Sequence, residues 1–154
     1  MIEEDRAVPT LHDQLLGAWE LVSYRLEFET GRVVEPLGED PVGLIVYTPQ
    51  GRVSVNIMRA GRAPWASPNP AAATDSEMAQ AAAGYIAYAG SFTVDERASV
   101  VEHQVDVSLF PNWIGGAQQR FAELSGDELV LAAPLVSTAT GTSLTARLRW
   151  RRVP

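Results

Sequence analysis

From Trp19 to Arg152 the chain is a succession of short runs of branched and aromatic residues, cut at intervals by Gly, Pro, Asn and Asp. Such punctuation suits antiparallel strands joined by tight turns. The run Trp19-Glu20-Leu21-Val22-Ser23-Tyr24-Arg25-Leu26-Glu27-Phe28 reads as a long strand ending at Thr30-Gly31, and Arg32 to Glu35 as a second strand stopped by Pro36. Gly43 to Thr48 and Arg52 to Met58 flank Thr48-Pro49-Gln50-Gly51, where Pro and Gly suit a tight reversal, so the two runs form a hairpin. Further strands are expected at Ser91 to Asp95, Ser99 to Leu109, Ala117 to Leu124, Glu128 to Ala132 and Ser143 to Arg152. About eight to ten short strands with mostly short turns predict a mainly β chain closed into an antiparallel barrel, because closure removes the exposed edges.

Helical signals are few. Thr10 followed by Asp13, Leu15 and Leu16 predicts a short N-terminal helical plug over about 10–16. Pro64, Pro68 and Pro70 make 59–73 an irregular surface insertion. Thr74-Asp75-Ser76-Glu77 has the spacing of a capping box, and Met78, Ala81, Ala82, Tyr85, Ile86 and Ala89 follow at helical intervals, so a helix should continue through them. At 154 residues the expectation is one domain, 1–154, with its barrel over about 14–152.

Composition narrows the chemistry. A net charge of -7 argues against a nucleic-acid partner, and no apolar run is long enough to cross a bilayer. The acidic opening Met1-Ile2-Glu3-Glu4-Asp5 lacks the pattern of a secretory signal, so a cytoplasmic location is expected. With no cysteine and all 12 basic residues arginine, neither a thiolate nucleophile nor a lysine Schiff base can form. His12 and His103 lie far apart, and glycine-rich nucleotide loops and Gly-x-Ser-x-Gly are missing, so no cofactor and no metal is expected.

His103 is the most informative single residue. It alternates with Val101, Val105, Val107 and Leu109 on the apolar side of a strand that runs into Phe110-Pro111-Asn112-Trp113-Ile114-Gly115-Gly116. A titratable imidazole thus occupies a core position. It is either a buried histidine satisfied by a neighbouring hydroxyl or carbonyl, or a general acid or base.

Gly17-Ala18-Trp19 at the start of the first strand resembles the Gly-x-Trp signature of lipocalins, and Trp150-Arg151-Arg152 ends the last strand where lipocalins place an arginine over that tryptophan. The segments Gly43 to Ser54, Tyr88-Ala89-Gly90-Ser91-Phe92, and His103 through Gly115 with Arg120 resemble, in order and spacing, the bacterial and fungal lipocalin-like domain family. The likeness covers roughly Gln14 to Arg152. It implies a calycin-type barrel with a helix and long insertion between the fourth and fifth strands, and a cavity for a small organic molecule, in a family often accessory to secondary metabolism. It implies no common catalytic set. The chain departs from the family pattern at Gln104, where a second histidine often follows His103, and at Gly116, so a His-His mechanism is not available.

The candidate ligand-binding residues are His103, Arg120, Trp113, Asn112, Tyr47, Tyr88, Ser23 and Arg25. Arg120 alternates with Ala122 and Leu124 and is either an inward guanidinium or a surface charge. Trp113 and Asn112 belong to a turn at a barrel mouth, where an aromatic can gate a cavity or pack the turn. Tyr47 and Tyr88 could donate to a ligand, with Tyr47 on the outer hairpin face and Tyr85 packing the helix as the plainer alternatives. An inward Trp19 carries Leu21, Ser23 and Arg25 inside, whereas the more apolar side is Val22, Tyr24, Leu26 and Phe28, left for the helix or a second copy in a homodimer to cover. Arg151 and Trp19 read as structural.

Three functions remain from this reading. The leading one is binding of a small, largely apolar organic molecule. The second is a cofactor-free cyclase or isomerase using His103 for proton transfer. The third is a structural or protein-interaction barrel with a filled interior.

Overall fold

The computed structural model describes residues 7–154. Nine strands form one sheet: β1 (Gly17–Phe28), β2 (Val33–Val34), β3 (Val42–Tyr47), β4 (Arg52–Met58), β5 (Tyr85–Asp95), β6 (Val100–Ser108), β7 (Ala117–Ser125), β8 (Glu128–Val136) and β9 (Ser143–Arg152). Neighbours pair antiparallel in the order β2-β1-β3-β4-β5-β6-β7-β8-β9, and β1 also pairs with β9, closing an eight-strand barrel with the two-residue β2 appended outside. The expected closed antiparallel barrel is the fold observed. Inward positions carry Ile45, Val53, Val55, Ile57, Phe92, Val101, Val105, Leu129 and Leu131, all buried.

The end of the barrel where β1 begins is stoppered by α1 (Leu11–Leu15), capped by the Thr10 side chain as its sequence suggests. Buried Leu15 accepts from the Trp19 indole N–H at 2.9 Å. Arg152, rather than Arg151, lies over the Trp19 ring at 4.1 Å and donates to the Gln14 and Leu16 carbonyls. The register decides this, since Trp19 opposes Arg152 while Arg151 opposes outward Glu20. Glu96, from the β5–β6 turn, accepts from the Leu11 and His12 backbone N–H groups at 2.9 and 3.0 Å and so ties the helix start to the barrel. Glu96→Ala should therefore cost about 1 kcal/mol. Hydrogen exchange should show protection lost at residues 11–16 and kept in β8 and β9.

At the opposite end lie the 59–84 insertion, the β6–β7 loop and the β8–β9 loop. There α2 (Asp75–Ala83) has the expected capping box between Thr74 and Glu77 but ends six residues sooner than Ala89. Gly84 ends it, and Tyr85, Ile86 and Ala89 belong to β5, where two ladders outweigh helical periodicity. Tyr85 therefore does not pack the helix. Its hydroxyl donates to Asn56 Oδ1 at 3.1 Å, outside the barrel.

Two β-bulges correct the simple alternation. One, between Leu21 and Ser23, turns the second half of β1 so that Tyr24, Leu26 and Phe28 oppose inward Leu148, Ala146 and Leu144. Both competing faces of this strand are thus used in turn, Trp19 before the bulge and Tyr24 after it. Three residues of the apolar side, Tyr24, Leu26 and Phe28, are turned inward while Val22 stays exposed, so no continuous apolar face of β1 is left for a second copy to cover. The other bulge, in β6 opposite Ala89 and Gly90, leaves Asp106 as an extra residue. Past it Val107 is 61% exposed and Leu109 is also exposed, which corrects their inward placement.

Candidate functional site

The barrel keeps a partly enclosed cavity of about 190 Å³. Its walls are mostly apolar, with Ile45, Val55, Ile57, Leu131, Ala146 and Leu148 among them, and its polar lining is Tyr24, Tyr88, His103, Gln118 and Arg120 with the rings of Trp113 and Trp150. A filled interior is therefore not what this sequence builds. Wider grooves exist on the outside, such as the one between residues 59–65 and α2, but they open broadly to solvent.

His103 points inward and is 1% exposed. Its Nε2 and the Tyr47 hydroxyl are 2.7 Å apart, and its Nδ1 and the Tyr88 hydroxyl also 2.7 Å. Both ring nitrogens are engaged. Burial first, and the neighbouring Arg120 charge second, hold its pKa down from 6.5 to about 3, so the ring is neutral near pH 7. Burial likewise pushes the Tyr47 hydroxyl well above 10, aided by Tyr88, and raises Tyr88, with Arg120 opposing in both.

A neutral imidazole carries one N–H, and the surroundings select which nitrogen holds it. Tyr47 is buried away from the cavity with no other hydrogen-bond partner for its hydroxyl among the described residues, so leaving its proton unused would cost about 1–3 kcal/mol. Tyr47 therefore donates to Nε2, and Nδ1–H donates to the Tyr88 oxygen. Tyr88 keeps its own O–H free to turn toward the cavity it lines.

Arg120 stands inward on β7, beside Gln118 and two residues before buried Ala122. Its Nη1 donates to the Gln119 carbonyl at 2.9 Å and its Nη2 to Gln118 Oε1 at 3.1 Å. No carboxylate pairs with it among the described residues, although Arg25, Arg52, Arg147, Arg149 and Arg152 all have one. Trp113 reaches the cavity from the one-turn helix at Pro111–Trp113, edge-on to Tyr88 with ring centroids 5.6 Å apart.

Of the candidate residues, His103, Tyr88, Arg120 and Trp113 converge on this cavity. The others do not. Tyr47 is inside and not on the outer hairpin face, but it stands behind His103 and lines no part of the cavity, so it is not placed to bind a ligand there. Asn112 is exposed on the turn and lines no part of the cavity. Arg25, turned out by the β1 bulge, pairs with Glu35 at 3.3 Å, and Ser23 is buried at the bulge away from the cavity. Tyr24, Gln118 and Trp150 were missed. Their alternation with Leu26, with Arg120 and with Leu148 was the available signal. Trp150 also holds the single buried side-chain polar atom without a partner among the described residues, its indole N–H.

A family model described as "Lipocalin-like domain" matches residues 16–153. The chain is also similar to the 4'-hydroxy-3'-methoxypropiophenone carrier protein ppsC of Aspergillus oryzae. The two are 35% identical over 108 residues, which span 66% of this chain and 97% of that protein. No helix among the described residues is long and apolar enough to cross a membrane.

Proposed function

Since this chain belongs to the lipocalin-like domain family, we propose that it is a small-molecule carrier that encloses one compact, largely apolar organic ligand in its barrel. The observation that carries this reading is the cavity inside the barrel, apolar along its walls and polar at one patch. A volume of about 190 Å³ is below the usual range for drug-sized ligands and suits one substituted ring of roughly a dozen non-hydrogen atoms. The name of the Aspergillus relative, a carrier of a hydroxylated and methoxylated aryl ketone, is in keeping with a ligand of that class.

The cyclase or isomerase reading loses its central group. An imidazole with a pKa of about 3 and both nitrogens occupied is far from the near-neutral value that makes a general acid or base efficient. His103 instead orients Tyr88.

A panel of small aryl ketones and phenols tests the carrier role by thermal unfolding. A true ligand at a free concentration 100 times its Kd should add about 2.7 kcal/mol. That is a Tm rise of roughly 5–10 °C for a chain of this size. Trp113 and Trp150 fluorescence should change in parallel. An unmoved Tm and emission across the panel would count against the carrier role.

A further inference from the structure

The polar patch of the cavity is rich in donors and poor in acceptors. Arg120 has five N–H groups; two bonds go to Gln118 and to the Gln119 carbonyl, and the guanidinium also reaches the Tyr88 oxygen, which leaves N–H groups for a ligand. The Tyr88 O–H is freed by the hydrogen bond its oxygen receives from His103 Nδ1–H. Most acceptors nearby are taken, His103 Nε2 by Tyr47, the Tyr88 oxygen by His103, and Gln118 Oε1 by Arg120, which leaves the neutral Tyr24 hydroxyl as an acceptor without a charge. No Asp or Glu lines the cavity, and β3, β4, β8 and β9 contribute no charged or titratable side chain to it. With the imidazole neutral, the patch carries one uncompensated positive charge.

We propose that this cavity takes its ligand as an oxygen anion, a phenolate, enolate or carboxylate, held by the Arg120 guanidinium and the Tyr88 hydroxyl. This rests on the carrier reading and deepens it by naming the ionisation state of the cargo. An uncompensated guanidinium in a partly desolvated site gains most from an anion, because hydrogen bonds between charged partners are about twice as strong as neutral ones. Tyr88 adds a neutral donor aimed by His103, whose tautomer is fixed from behind by Tyr47. The same patch disfavours cations outright. A bound phenol should therefore ionise at lower pH than the free one, by about one pH unit for each tenfold preference for the anion.

The test uses 4-nitrophenol, whose anion is coloured, and 4-nitroanisole, its neutral methyl ether, each titrated into the full chain. The expected result is binding of the phenolate at least about tenfold tighter than the ether. Its colour should appear at lower pH in the complex than in buffer, and both effects should vanish in Arg120→Gln. If the two probes bind within a factor of about two and the bound phenol stays colourless, the anion assignment is overturned and the carrier role stands. If neither probe binds while a neutral member of the ketone panel does, the outcome is the same. Silence from both probes and from the whole panel would overturn both readings. The wild-type comparison decides the matter even if Arg120→Gln folds poorly.

Discussion

Acid should destabilise this protein through His103 by up to about 5 kcal/mol between pH 6.5 and pH 3, a large part of the stability of a typical domain. The folded-state pKa lies below the unfolded one, so in that interval the unfolded chain binds a proton that the folded chain refuses, and stability rises with pH. The contribution is fully present above pH 6.5 and is lost as pH falls toward about 3. The physical cause is plain: a protonated ring would be buried between two phenols, near the Arg120 guanidinium, with no anion to receive it. Between pH 6.5 and 5, above the usual carboxylate range, the slope should already remove roughly 2 kcal/mol. In His103→Gln an amide can bridge both tyrosine hydroxyls without titrating, so the slope in that window should flatten even if stability at pH 7 is lower. Equal slopes by urea denaturation in the two proteins would show that His103 is not held neutral.

Gly90→Ala should be the most damaging small substitution, costing more than about 3 kcal/mol. A Cβ at position 90 would stand 1.7 Å from the Gln104 carbonyl oxygen and 3.1 Å from the Asp106 backbone nitrogen, both backbone atoms of the bulged strand. Neither can move without undoing the bulge. The same bulge sets where β6 stops facing inward, and so the register that joins His103 to Tyr88. Gly116→Ala is the control, since a Cβ there would meet only the Trp113 carbonyl oxygen, at 3.4 Å, and the expected change is under about 1 kcal/mol. Urea midpoints with unchanged m values would measure both. A Gly90→Ala midpoint close to the wild type would mean that the bulge is not needed.

Turn residues at short spacing and period-two apolar runs make the barrel readable from the residues alone, and Val101 and Val105, flanking His103 on one face, likewise set the imidazole inward. The capping box at Thr74 and the plug at Thr10 were legible for the same reason, being local hydrogen-bond patterns. What period two could not carry was a change of phase. The bulge in β1 goes with its pairing to β9, at the other end of the chain, and that in β6 with its register against neighbouring β5; together they decide that Tyr24 enters the cavity, that Arg25 leaves it and that Val107 faces solvent. The role of His103 was likewise a tertiary decision. Only the closed barrel brings Tyr47 and Tyr88 to opposite sides of the ring, and with them in place a residue that could have moved protons becomes one that orients a donor.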